Sequence, residues 1–177
     1  MLLTLLASLA LHDPKIVAPG EGEPVAVPFH PVFQLIGKGE TESNATFYEF
    51  RVPPKTAGAP PHTHTKEDEF FYVLSGGVSL MNGDEITVAG PGTLAALTRG
   101  HLHAFWNAGD EEVVMLMATV GGEFEEFFDA VAMRLREEKP ASPEAAGALV
   151  GQIAASKGIT IDMSKVPAEA RQLYGME

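Results

Sequence analysis

The sequence predicts an all-β sandwich or barrel with a helical extension, and three observations carry that expectation. Eight short apolar segments follow one another between Val32 and Thr119, each bounded by Gly, Pro, Asn or a charged turn. Asn82-Gly83 supplies a hairpin turn, read as type I′ because both residues tolerate positive φ, and Gly90-Pro91-Gly92 marks a tight corner. Beyond Gly121-Gly122 the apolar residues change to a helical spacing. With 177 residues the chain is long enough for one sizeable core and short for two. The expected organisation is an extension and arm over residues 1–24, a β-barrel over 25–120 and a helical extension over 121–177.

Met1–Leu11 is an apolar run too short for a bilayer, which takes about 20 residues. It reads as an N-terminal helix or extension packed on the body or on a second subunit. The other readings are the apolar part of an export signal, although no Lys or Arg precedes it, or residues added by an upstream start site. The expected location is therefore the cytoplasm, or outside it if Met1–Leu11 is a signal. Ile16–Pro24 is turn-rich and reads as a connecting arm. Strands are expected at Val32–Ile36, Ala45–Val52, Glu69–Leu74, Gly77–Met81, Glu85–Val88, Thr93–Thr98, His103–Asn107 and Val113–Thr119.

In the extension, Phe124, Phe127, Phe128, Val131 and Leu135 recur at helical spacing. Acidic residues come early and Arg134, Arg136 and Lys139 late, which suits the helix dipole, and Pro140 ends the run. This aromatic face is expected to cover one end or the outer face of the barrel. Ser142-Pro143-Glu144 caps a second helix that runs to about Ser156 and stops at Lys157-Gly158. Ile159–Glu177 holds a strand-like piece and one further helical turn at Pro167–Leu173.

Composition excludes several functions. The formal charge is −12, from 24 acidic and 12 basic residues, with no Lys/Arg cluster, so nucleic acid and anionic membranes are not expected partners. There is no cysteine, so a metal could be held only by nitrogen and oxygen.

Chemistry concentrates in Pro60–Gly76. On an extended strand His62 and His64 point to one face, a chelating geometry, and Glu69 can return to the same centre as a third ligand. Such a set suits a divalent transition ion: iron, manganese, nickel, cobalt, copper or zinc. Gly92–Asn107 adds a second histidine pair, His101 and His103. Together the two stretches resemble the two sequence motifs of the cupin superfamily. His62, His64, Glu69 and Gly76 fit the first, and Gly92, Gly100, His103 and Asn107 the second. Thr56 replaces the opening Gly of the first motif, with Gly58 two residues late, and Thr98 replaces the Pro of the second. Both departures fall at turns.

The resemblance covers roughly Val25 to Phe128 and implies a double-stranded β-helix, the cupin or jelly-roll barrel. It also implies one metal ion held by His62, His64, Glu69 and His103. His101 is expected at the rim, His12 and His30 are expected as surface histidines in arm-like segments, and Glu67 falls outside the motif. Strand alternation puts Phe71 and Val73 on the face of Glu69, and Phe105 and Asn107 on that of His103; the strands expected to line the barrel carry Tyr48 and Leu80 together with Phe50, Phe71, Leu97, Phe105, Met115 and Met117, the expected substrate pocket. Arg51 and Arg99 are the only nearby cations.

The order of features is similar to small bacterial cupins of the quercetin 2,3-dioxygenase kind. That similarity implies an aromatic, hydroxylated substrate, dioxygen, and Glu69 as both ligand and proton acceptor. A homodimer is expected from the apolar sheet faces. The alternatives are a non-catalytic metal- or small-molecule-binding cupin, and a cupin isomerase or decarboxylase.

Overall fold

The computed structural model describes residues 13–177. The expectations for Met1–Leu11 and His12 lie outside the described residues. In chain order the strands are β1 (Glu23–Pro24), β2 (Val32–Ile36), β3 (Thr46–Val52), β4 (Thr56–Ala57), β5 (His62–His64) and β6 (Asp68–Ser75). There follow β7 (Val78–Asn82), β8 (Glu85–Ala89), β9 (Leu94–Leu97), β10 (His103–Asn107) and β11 (Val113–Val120). Two α-helices, α1 (Phe124–Glu138) and α2 (Pro143–Lys157), precede β12 (Ile159–Ile161) and two 3₁₀ segments, Met163–Lys165 and Ala168–Tyr174.

The strands form two antiparallel sheets. One runs β1-β2-β3-β11-β6-β9 and the other β12-β5-β10-β7-β8, with β4 also on β10. In β3, β6 and β11 burial alternates residue by residue, because successive side chains point to opposite faces. The inward residues of both sheets meet in one core that includes Phe50, Phe71, Val73, Phe105 and Met115. Helix α1 adds Phe124, Phe127, Phe128 and Val131 to it. Burying each of these side chains is worth about 1.5–3 kcal/mol, so the docking of α1 is a strong contact.

Strand β10 is buried along its whole length. Its inner face carries His103, Phe105 and Asn107. Its outer face, Ala104 and Trp106, packs with Met81 and with Val166 and Ala170 of the C-terminal segment. Asn107 serves the turns: its amide nitrogen lies 2.8–3.0 Å from the carbonyls of Val52, Pro53 and Glu111, and its Oδ1 accepts the Gly109 N–H. Gly58, two residues from the expected motif position, is the residue whose bareness matters here. A Cβ there would lie 2.2 Å from the Phe105 ring and 2.5 Å from its carbonyl.

Two local expectations are corrected. The β7–β8 loop is Gly83-Asp84, since Asn82 pairs with Glu85, and among its residues only Gly83 has positive φ (+61°). That pattern matches type II′, with glycine first in the loop, and not type I′.

His30 is not a surface histidine. It is buried between the Phe50 ring (centroids 4.8 Å apart) and the Phe105 ring (5.7 Å), with Nδ1 3.2 Å from the Pro31 carbonyl. Burial pushes the ring from its ordinary 6.5 to about 4, against the Pro31 hydrogen bond. The folded value is below the unfolded one, so this contribution to stability is full above pH 6.5 and is lost as pH falls towards 4. The loss is on the order of 3 kcal/mol. His30→Phe keeps an aromatic ring and should flatten this part of the pH dependence in denaturant unfolding. An unchanged slope would assign the acid sensitivity to other groups.

Candidate metal centre

His62 and His64 sit on β5, His103 on β10 and Glu69 on β6, so both sheets contribute to one point. His103 stands opposite His62 in the register, while Glu69 lies between Thr119 and Leu97 on the facing sheet. The four side chains are buried, and their candidate ligand atoms lie within 4.8 Å of one another. Glu69 Oε2 is 3.0 Å from His103 Nε2 and 3.9 Å from His62 Nε2. Its Oε1 is 3.5 Å from His64 Nε2.

Each imidazole is held from behind. His62 Nδ1 donates to the Pro60 carbonyl at 2.7 Å, and His103 Nδ1 to the His101 carbonyl at 2.9 Å. A carbonyl only accepts, so in both rings Nδ1 carries the hydrogen, which leaves Nε2 directed inward, as a lone pair whenever the ring is neutral. His64 Nδ1 lies 3.2 Å from Glu67 Oε2, and His64 Nε2 is buried without a hydrogen-bond partner. Three imidazole Nε2 atoms and a carboxylate thus converge on one point, where a proton on His103 Nε2 can bridge to Glu69 Oε2 at 3.0 Å.

The electrostatics agree. Burial works against the Glu69 carboxylate, yet the His103 hydrogen bond and the three imidazoles outweigh it and hold the group at about 2. Burial, then the nearby His103, brings His62 down to about 3, against the pull of Glu69. Burial also opposes charge on His64, but Glu67 and Glu69 prevail and raise it. Such a centre stabilises positive charge, which a divalent cation supplies without protonating a ligand. The donor set fits one ion, with no sulfur and three borderline nitrogens.

Glu67 is the residue the sequence pattern missed. It is fully buried, and besides His64 it accepts the Glu123 N–H on Oε1 at 2.8 Å. An outer carboxylate behind a histidine ligand fixes its tautomer and strengthens it as a donor to metal. The only sequence signal was its spacing of three from His64. His101 is exposed, and its carbonyl, not its ring, serves the centre.

Phe50, Phe71, Leu97, Phe105, Met115 and Met117 are all buried in the core. Phe71 packs 5.3 Å from Phe105 and 6.2 Å from Phe50, so these rings fill the interior. Neither arginine joins them: Arg51 pairs with Glu49 at 2.7 Å and Arg99 with Asp68 at 2.8 Å, both outside the core. Phe124 of α1 lies 5.8 Å from the His64 ring, so the helix covers the centre. A surface cleft of ≈ 350 Å³ is lined by Pro28, Phe29, Gly58, Pro60, Met163 and Tyr174 among others, and by none of the four ligands. Pro60 links the two, since its carbonyl holds His62.

Fold and site together define a class of proteins that enclose a three-histidine, one-carboxylate centre between two antiparallel sheets. Residues 48–119 match the family described as the cupin domain. Among solved structures it is similar to the polyketide cyclase RemF from Streptomyces resistomycificus. The two share 26% identity over 61% of this chain and 80% of that one, with a TM-score of 0.52. A predicted oxalate decarboxylase from Thermotoga maritima shares the fold at 19% identity, 60% and 99% coverage and a TM-score of 0.53. KdgF from Halomonas sp. does so at 14%, 61% and 94%, and 0.51. Among curated proteins none matches by sequence.

Proposed function

We propose that this protein is a metal-dependent enzyme of the quercetin-dioxygenase kind, acting with dioxygen on a flavonol-like or other phenolic substrate. The observation that carries the reading is a buried three-imidazole, one-carboxylate centre set against an aromatic interior without a cation. His62, His64, Glu69 and His103 would hold the ion; when bound, it supplies Lewis-acid polarisation of a phenolic oxygen and, if redox-capable, electron transfer. Phe71 and Phe105 offer faces for a planar ring, which enters only as they part from their present packing. Glu69 is the one carboxylate within the four-residue cluster and would accept the proton of a phenol bound there, while the apolar wall excludes water. Anion-handling isomerases and decarboxylases need pocket cations, and both nearby arginines face away. Exposed Leu74, Val88 and Leu94 on β6, β8 and β9 support a homodimer as part of this reading.

The test mixes Fe²⁺- or Mn²⁺-loaded protein with quercetin anaerobically and then admits oxygen. The expected result is loss of the flavonol absorption with matching oxygen uptake; unchanged quercetin and oxygen on fully loaded protein would overturn it. A second reading, metal-assisted cyclisation of a polyketide-like substrate, is favoured by the likeness to the polyketide cyclase. It consumes no oxygen, so oxygen uptake separates the two.

A further inference from the structure

Glu67 stands where the metal centre meets helix α1. One of its oxygens faces His64 Nδ1 at 3.2 Å and the other accepts the Glu123 N–H, at the N-cap of α1, at 2.8 Å. On the Nδ1 side, away from the centre, His62 and His103 meet only the backbone carbonyls of Pro60 and His101, so His64 alone is tied through its outer nitrogen to a side chain that reaches another element. Glu123 forms no side-chain cap of its own, and the Glu67 carboxylate adds negative charge at the positive end of the helix. The approach is built for: Gly121 and Gly122 both have positive φ, and a Cβ on Gly122 would lie 2.1 Å from Glu67 Oε1. The helix thus seated puts Phe124 over the His64 ring.

We infer that Glu67 is a positioning residue that couples metal occupancy at His64 to the seating of α1 over the centre. A cation on His64 Nε2 draws electrons from the ring and makes Nδ1–H a stronger donor. Glu67 is then held more firmly, and with it the Glu123 N–H. Coupling between two binding events is reciprocal, so a displaced α1 weakens the metal site by the same factor that metal tightens the helix. The inference rests on the reading that His62, His64, Glu69 and His103 bind a metal.

The experiment titrates Co²⁺ into metal-free parent, Glu67→Gln and Gly122→Ala proteins, followed by the visible absorption of the ion. Amide exchange over residues 121–128 is measured with and without Co²⁺. Glu67→Gln keeps the shape but turns an NH₂ towards one of the two donors. Gly122→Ala alters neither Glu67 nor any of the four ligands in sequence but forces the Glu67 carboxylate and the helix start apart. Both variants are expected to bind Co²⁺ roughly 10–100-fold more weakly than the parent. The Co²⁺-dependent slowing of exchange at Glu123–Phe128, present in the parent, is expected to be lost in both. A purely structural role would speed exchange equally with and without the ion. Parent-like affinity in the variants, or metal-dependent protection that survives in them, would overturn the coupling while leaving the metal reading intact. A parent that takes up no Co²⁺ would overturn both.

Discussion

Replacing His62 and His64 together by alanine is expected to abolish divalent-metal binding, where the parent takes up about one ion per chain, a stoichiometry set by the single buried cluster found among the described residues. The substitution removes two of four donors, and those that remain, Glu69 and His103, already face each other at 3.0 Å. Loss of an outer partner costs about 10–100-fold in metal affinity, and loss of two direct ligands should go well beyond that. Elemental analysis of both proteins after the same loading and desalting checks it, with far-UV circular dichroism to show that the variant keeps its sheets. The same comparison tests the functional reading. A redox-capable ion in the parent alone supports oxygen chemistry, zinc alone moves hydrolytic or isomerising chemistry ahead, and equal metal in both proteins would sink the centre described above. Metal should also leave the parent as pH falls, because every ligand must shed its proton to bind.

Trp106→Ala is expected to lower the stability of the fold by about 3–5 kcal/mol, out of the roughly 5–15 kcal/mol typical of a domain. The ring is wholly buried on the outer face of β10, where it packs with Met81, Val166 and Ala170, and with the partly buried Leu173 and Tyr174. Tyr174 pins the C-terminal segment by placing its hydroxyl 2.9 Å from the carbonyls of both Ala59 and Phe105. Removing the indole leaves a cavity under that segment, and a short 3₁₀ stretch has little of its own to keep it in place. The melting temperature should fall by roughly 6–20 °C. Unfolding must be followed by circular dichroism, since Trp106 is the only tryptophan in the sequence. A loss under about 1 kcal/mol would show that the C-terminal segment adds little to the core.

These two sites also show what could be read in advance. Strand alternation aligned His62 with His64, and Phe71 with Glu69, because the period of two is a property of the backbone alone. It served equally for Val113–Thr119 and His103–Asn107, whose strands are observed at Val113–Val120 and His103–Asn107. Ser142, Pro143 and Gly158 placed the ends of α2, and Ser142 Oγ does accept the Ala145 N–H. The hairpin at Asn82-Gly83 was legible as a turn but not as its type. Which two residues sit in the loop depends on cross-strand register, which a dipeptide does not contain.

Residue order alone carried the local facts: the β-rich body, the two helices, and the residue types and spacings that make His62, His64, Glu69 and His103 a candidate metal set. Which groups stand behind them came from packing. Glu67 meets Glu123 across 56 residues of sequence, β12 returns to pair Ile159 with His64, and His30 lies buried between Phe50 and Phe105. Short-range periodicity records which way a side chain points. Its partner is chosen by how the sheets and α1 pack, and burial then turns an ordinary glutamate or histidine into a group with a fixed proton and a fixed place.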